Sequence, residues 1–125
     1  YGLMKRDFTY IDDIVEGVFR CCFKPASSSK NFDFFNPDPS KSFAKHRIFN
    51  IGNGKPVDLM EFIHILEKNL GVEAIKDYQP MQQGDVKDTW ADTNSLEKWI
   101  NFKSETSIYE GVKKFADWYK DFYSK

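Results

Sequence analysis

Tyr109 and Lys113 stand at i and i+4, a spacing that puts a phenol and an ammonium on one face of a helix. An ammonium beside a phenol lowers its pKa and prepares it to act as a base. The same spacing arises readily by chance in a chain with 6 Tyr and 18 Lys plus Arg. Tyr109 falls in the first turn of a terminal amphipathic run, with no nicotinamide site near it in sequence. The pair therefore reads as a surface pair. Gly52-x-Gly54 lies between a strand-like run and a helical run, where a dinucleotide fingerprint sits. Val57 occupies the third glycine position, however, and Pro56 intervenes. The acidic residue that should close a second strand about 20 residues on is not in place, because Asp77 precedes Tyr78 and a loop. The reading is a plain turn, with no cofactor assigned to it.

Arg6 offers a planar fork for phosphate oxygens just ahead of a helix start. From pattern alone a surface salt bridge explains it as well. Gly84-Asp85, in a polar loop, places a carboxylate that suits sugar hydroxyls or simply makes a turn. Cys21 and Cys22 are neighbours that point to different faces of a helix, so they suit neither a chelate nor an ordinary disulfide. His46 and His64 lie in separate segments without a ligand-spaced cysteine, which argues against a metal site. Two thiols kept reduced fit the cytoplasm.

The elements that must position these residues follow from periodicity. Lys5–Ile11 alternates polar and apolar residues and reads as a strand. Asp13 with Glu16 has capping-box spacing, ahead of Ile14, Val15, Val18, Phe19 and Cys22 at helical spacing, ending near Phe23. Residues 26–45 carry Ser, Pro and Asp without a period and read as a long mobile loop. Phe32, Phe34 and Phe35 are apolar for such a loop and are expected to dock elsewhere. Arg47–Ile51 reads as a second strand. Asp58 with Glu61 caps a helix whose Leu59, Phe62, Ile63, Leu66 and Leu70 share a face, and Gly71 ends it. Val72–Tyr78 reads as a third strand and 79–92 as a polar loop. Asn94 with Glu97, and Ser107 with Glu110, start two further helices. The last of these turns Ile108, Val112, Phe115, Ala116, Tyr119 and Phe122 inward. There is no internal repeat. The fold class is α/β or α+β, with few short strands and about four helices.

The 125 residues form one domain or part of one, over the span 1–125. Eighteen basic and 19 acidic side chains give a net charge of −1, which excludes nonspecific binding to nucleic acid or to a membrane surface. No apolar run reaches the ~18 residues of a membrane span. Rings make up 17% of the chain, with 12 Phe among them, so some are expected to face a partner. The chain opens at Tyr1 without an initiator Met and reads as a piece of a longer polypeptide.

Three stretches in register carry a family resemblance. Arg6-Asp7-Phe8-Thr9-Tyr10-Ile11-Asp12-Asp13 resembles the RDFxYVDD stretch of extended short-chain dehydrogenase/reductases that act on nucleotide sugars. Phe49-Asn50-Ile51-Gly52-Asn53 resembles a later strand of theirs. Met81-Gln82-Gln83-Gly84-Asp85-Val86, with Trp90-Ala91-Asp92, resembles their PGDV…AD stretch. Glu110-Gly111 and Trp118-Tyr119 match their usual ending. The Met-Gln-x-Gly-Asp form is most similar to the UDP-glucuronate 4-epimerase branch.

The resemblance implies the C-terminal, UDP-sugar-binding portion of an NAD-dependent epimerase, an isomerase of the cytoplasm. It implies that the Rossmann glycine loop, the catalytic Tyr-x-x-x-Lys and its Ser/Thr partner precede Tyr1, and that Tyr109 and Lys113 are not that pair. It implies that Arg6 contacts the diphosphate and Asp85 the uridine ribose. Galactose-type relatives carry Arg where this chain has Gln82, so Gln82 is a substrate contact of altered grip. Asp12 and Asp13 are read as helix caps. The chain alone is expected neither to bind NAD nor to epimerise. Its helix at Ile14–Phe23 and its strand at Arg47–Ile51 are expected to leave an apolar face bare or covered by self-association. A dehydratase or decarboxylase of the same superfamily, or a self-standing non-catalytic binding module, stays open as an alternative.

Overall fold

In the computed structural model, residues 2–124 are described; Tyr1 and Lys125, the two ends of the expected 1–125 unit, lie outside the described residues. Six elements follow in order: β1 (Lys5–Arg6), α1 (Ile11–Phe23), β2 (Val57–Asp58), α2 (Leu59–Leu70), α3 (Asn94–Ile100) and α4 (Ile108–Tyr123). β1 and β2 pair antiparallel, Lys5 opposite Asp58 and Arg6 opposite Val57. α2 packs along α4, and α1 meets α3. The class is α/β, with four helices and one two-stranded sheet among the described residues.

The helices form where apolar spacing predicts them, but their caps differ. Tyr10, in extended conformation, is the N-cap of α1, so the helix starts at Ile11 and Asp13 sits inside its first turn. There a carboxylate still favours the N-terminal dipole. The Asp13 carboxylate is not a cap, because Thr106 holds it through N–H and Oγ1. Asp58 occupies the N-cap position of α2, yet its side chain turns to Lys5 at 3.7 Å. Ser107 does cap α4, accepting from the Glu110 N–H at 3.2 Å, while the Glu110 carboxylate pairs with Lys114. Thr93 caps α3 in place of Asn94, and its hydroxyl donates to Glu97 at 2.6 Å. Gly71 ends α2 at φ +76, a left-handed turn that glycine takes without a Cβ clash.

Three expected strands are corrected. The first stops at Arg6, because from Asp7 onward side chains take over the pairing. Phe8 stacks on Phe62 with centroids 4.3 Å apart. Arg47–Ile51 is irregular: apart from one bridge between Lys41 and Arg47, no strand lies beside it among the described residues. Val72–Tyr78 is also irregular. Val72 and Ile75 are exposed, and Glu67 accepts the Ala74 N–H in place of a ladder partner. Val57–Asp58, too short to show a period, is the strand that forms instead.

The core is thin: Ile65, Leu96, Val112 and Ala116 are the buried apolar residues among those described. Of the expected inner face of α4, Val112 and Ala116 are buried and Ile108 half-buried, but Phe115, Tyr119 and Phe122 are exposed. Ile11, Val15, Val18, Phe19 and Phe23 leave a bare apolar stripe along α1. On its other side α1 passes so close to Ile51 that a Cβ on Gly17 would lie 2.4 Å from Ile51 Cδ1. In the loop, Phe32, Phe34 and Phe43 pack on one another, and Phe35 is fully exposed. Phe32 and Phe34 thus contact Phe43 within their own loop, yet Phe34 and Phe43 stay largely exposed.

Candidate functional site

Residues 5–7 are an organising ledge. On one side β2 pairs with them. On the other, the 87–91 segment runs parallel: Lys5 N–H donates to the Lys87 carbonyl at 3.0 Å, and Thr89 N–H donates to the Lys5 carbonyl at 3.3 Å. Continued in register, such a parallel ladder would have the Ala91 N–H donate to the backbone carbonyl of Asp7. Ala91 N–H instead reaches the Asp7 carboxylate, at 3.1 Å from Oδ2. The same carboxylate accepts Gly54 N–H at 2.9 Å and Asn53 N–H at 3.1 Å. Asp7 therefore joins all three family-like stretches: its own, the Gly52–Gly54 turn and Ala91.

That geometry explains why Gly52-x-Gly54 is no dinucleotide cradle. The two amides that would face a phosphate are already bonded to a carboxylate, whose charge repels a second anion. A side chain at position 52 would put its Cβ 2.7 Å from Asp7 Oδ2 and 2.9 Å from Ala91 Cβ. The glycine makes room for Asp7 rather than for a cofactor. The described residues around this turn do not fit NAD.

Arg6, half-buried, donates from Nη1 to the Lys5 carbonyl at 2.8 Å and to the Lys87 carbonyl at 3.0 Å. It has no carboxylate partner among the described residues, so the surface-salt-bridge reading is withdrawn. Two carbonyls orient the guanidinium without neutralising it. Both of its hydrogen bonds leave from Nη1, and no bond from Nε or Nη2 is present among the described residues.

Lys87 also lines a cavity of about 760 Å³, together with Gln82, Asp85, Lys76, Asp77, Tyr78 and an apolar floor from Met4, Met60, Ile63 and Leu66. Its size and mixture of apolar walls with a few polar groups are those of a small-molecule site. Gln82 and Asp85 thus share one cavity, and Arg6 reaches its wall through Lys87. Asp85 N–H donates to the Gln82 carbonyl at 3.2 Å across a tight turn, with Gly84 at φ +91. Positive φ at the third turn position requires glycine. The turn reading of Gly84-Asp85 and the carboxylate reading are therefore compatible: the turn presents an exposed Asp85. A second cavity, about 290 Å³ between Phe8, Tyr10, Phe62, Ile108, Val112 and Phe115, is lined by no charged side chain.

Tyr109 and Lys113 each bond another partner. The Tyr109 hydroxyl donates to Glu61 Oε1 at 2.8 Å, and Lys113 pairs with Asp117 at 2.6 Å. The hydrogen bond to Glu61, and then its charge, raise the phenol above its ordinary 10.0, the opposite of what a base needs. Cys21 and Cys22 are free thiols. Among the described residues no group of three His, Cys, Asp or Glu side chains could hold a metal ion, and no helix is long and apolar enough to cross a membrane. Sequence reading missed Asp7 as an individual residue. With Asp12, Asp13, Asp85 and Asp92 in the same stretches, no signal in the sequence singles Asp7 out.

No known family profile matches the chain. It is 50% identical over 125 residues to Protein CapI of Staphylococcus aureus, covering 100% of this chain and 37% of that protein. It is 42% identical over 125 residues to a probable UDP-glucuronate 4-epimerase of Rhizobium meliloti, covering 99% of this chain and 37% of that one. The crystal structure of UDP-glucuronic acid 4-epimerase from Bacillus cereus, in complex with UDP-glucuronic acid and NAD, superposes with a TM-score of 0.71 at 26% identity. It covers 98% of this chain and 34% of that one. The chain thus spans little more than a third of the length of the curated relatives it matches. In sequence and in fold it is similar to one portion of the UDP-glucuronate 4-epimerases.

Proposed function

We propose that this chain is the C-terminal, UDP-sugar-binding portion of an NAD-dependent nucleotide-sugar 4-epimerase that converts UDP-glucuronate to UDP-galacturonate. The observation that carries the reading is the 42% identity, across 125 residues, to a probable UDP-glucuronate 4-epimerase. The structure supports the assigned contacts. Arg6 offers an un-neutralised fork to the diphosphate, Asp85 offers a carboxylate to the uridine ribose, and Gln82 shares the Asp85 cavity. When bound, NAD supplies a reversible hydride acceptor for C4 of the sugar. In this reading the Rossmann portion of the same polypeptide holds it and also brings the tyrosine base. This chain grips the nucleotide and positions the sugar. In this reading the enzyme is cytoplasmic.

The test is the reaction itself. The protein in its natural length, given NAD and UDP-glucuronate, is expected to yield UDP-galacturonate as the single new product by NMR. Loss of carbon dioxide to a UDP-pentose, or loss of water to a keto-deoxy sugar, would replace the reading with a decarboxylase or a dehydratase. No turnover and no binding of UDP would leave a non-catalytic module.

A further inference from the structure

We propose that Asp7 is a positioning residue for the nucleotide-sugar site: its carboxylate holds the Gly52–Gly54 turn and the 87–91 segment in the register that docks Arg6 on Lys87. The inference rests on the function proposed above and deepens it. Lys87, Thr89 and Ala91 alternate along one segment, and each is bonded to residue 5, 6 or 7. Lys87 receives Lys5 and Arg6, Thr89 gives to Lys5, and Ala91 gives to Asp7. The clamp is closed at one end by Arg6 and at the other by Asp7. Asp7 is its only member that also fixes the Gly52–Gly54 turn, through Asn53 and Gly54.

The chemistry of the clamp admits one side chain. All three of its partners are donors, and an ionised carboxylate is an acceptor only. An asparagine would turn an NH₂ toward at least one backbone N–H and set donor against donor. A glutamate would carry its carboxylate one methylene further, towards Gly52 and Ala91, and the present carboxylate already lies so close that a Cβ on Gly52 would be 2.7 Å from Asp7 Oδ2. Asp7 and Gly52 are therefore a matched pair. Loosening either releases Ala91, lets Lys87 drift from Arg6 and blurs the geometry of the phosphate fork.

The experiment uses the protein in its natural length, with UDP as probe, well below the melting temperature. Asp7→Asn is expected to bind UDP about tenfold more weakly, with the loss appearing in KM for UDP-glucuronate and not in kcat. Amide exchange at Asn53, Gly54 and Ala91 should quicken. Adding Arg6→Ala to Asp7→Asn should cost less than Arg6→Ala costs alone, since the fork is already misplaced. Should Asp7→Asn fail to fold, Gly52→Ala carries the same test, because it keeps the charge and crowds the carboxylate. UDP binding within twofold of wild type, alongside faster exchange at the three amides, would make Asp7 a stabiliser without influence on the site and overturn the proposal. If wild type itself does not bind UDP, the proposed function fails and the positioning role fails with it.

Discussion

Asp13, in the first turn of α1, accepts two hydrogen bonds from Thr106: from its N–H at 3.1 Å and from its hydroxyl at 2.9 Å. The two residues are 93 apart in the chain, and their contact fastens the start of α1 to the approach to α4. Hydrogen bonds to a charged group contribute roughly 1.5–3 kcal/mol each, and removing one partner strands the other. With partial exposure, Asp13→Ala is expected to lower stability by about 1–3 kcal/mol in all. Urea denaturation measures it. A midpoint equal to wild type would show that water replaces Asp13 at no cost.

Arg6→Ala should weaken UDP binding by about 10- to 150-fold, since each 1.4 kcal/mol is a factor of ten. Arg6→Lys should recover part of that, because an ammonium lacks the planar fork. Calorimetry with UDP on the natural-length protein decides it. Unchanged affinity with a small loss of stability would reduce Arg6 to a strut for the Lys87 carbonyl.

Glu67 and Lys76 form an ion pair that also anchors the segment after α2. The hydrogen bond from Lys76, and then that from the Ala74 N–H, hold the Glu67 carboxyl below its ordinary 4.5. The bond to Glu67 lifts Lys76 above 10.5. The Glu67 contribution is therefore complete above its unfolded value and fades as pH falls through its lower folded value. The Lys76 contribution is complete below its unfolded value and fades as pH rises through its higher folded value. Urea midpoints for wild type and Glu67→Gln are expected to differ at neutral pH and to converge as the pH drops below 4.5. A gap that persists into acid would assign the difference to packing.

Under the proposed function, Tyr109→Phe should leave turnover intact, because the phenol donates to Glu61 and its pKa is raised. The difference between wild-type and variant ultraviolet titrations should show a phenol ionising above 10.0. A phenol ionising below that value, or a collapse of turnover, would restore Tyr109 as a catalytic candidate.

The backbone bonds made by the 26–45 loop run from Ser29 N–H to the Ser42 carbonyl and from Ile48 N–H to the Ser40 carbonyl, beside short turns around Asp33 and Asp38. None of these bonds ties the loop to a helix. Its amides are expected to exchange faster than those of α2 and α4, despite the cluster of Phe32, Phe34 and Phe43. Protection equal to that of α2 would show a rigid appendage.

The helices were legible in the chain because each carries its own signal. Leu59, Phe62, Ile63 and Leu66 recur at helical spacing, Gly71 supplies the left-handed stop, and Ser107 caps α4 through Glu110. These are local interactions, decided within one or two turns. Gly84-Asp85 was readable either as a turn or as a carboxylate site, and the structure combines the two.

Strands were another matter, since a strand exists only where a neighbour supplies its hydrogen bonds. Among the described residues Val72–Tyr78 has strand-like residues but no paired strand and Arg47–Ile51 has a single bridge to Lys41, whereas Val57–Asp58 has a paired strand in β1. The roles of the acidic residues were also tertiary. Asp13 and Asp58 have cap spacing, but Thr106 and Lys5 claim their carboxylates. Asp7 draws together Asn53, Gly54 and Ala91, up to 84 residues away, because one acceptor-only group can satisfy several distant amides once the fold brings them to it.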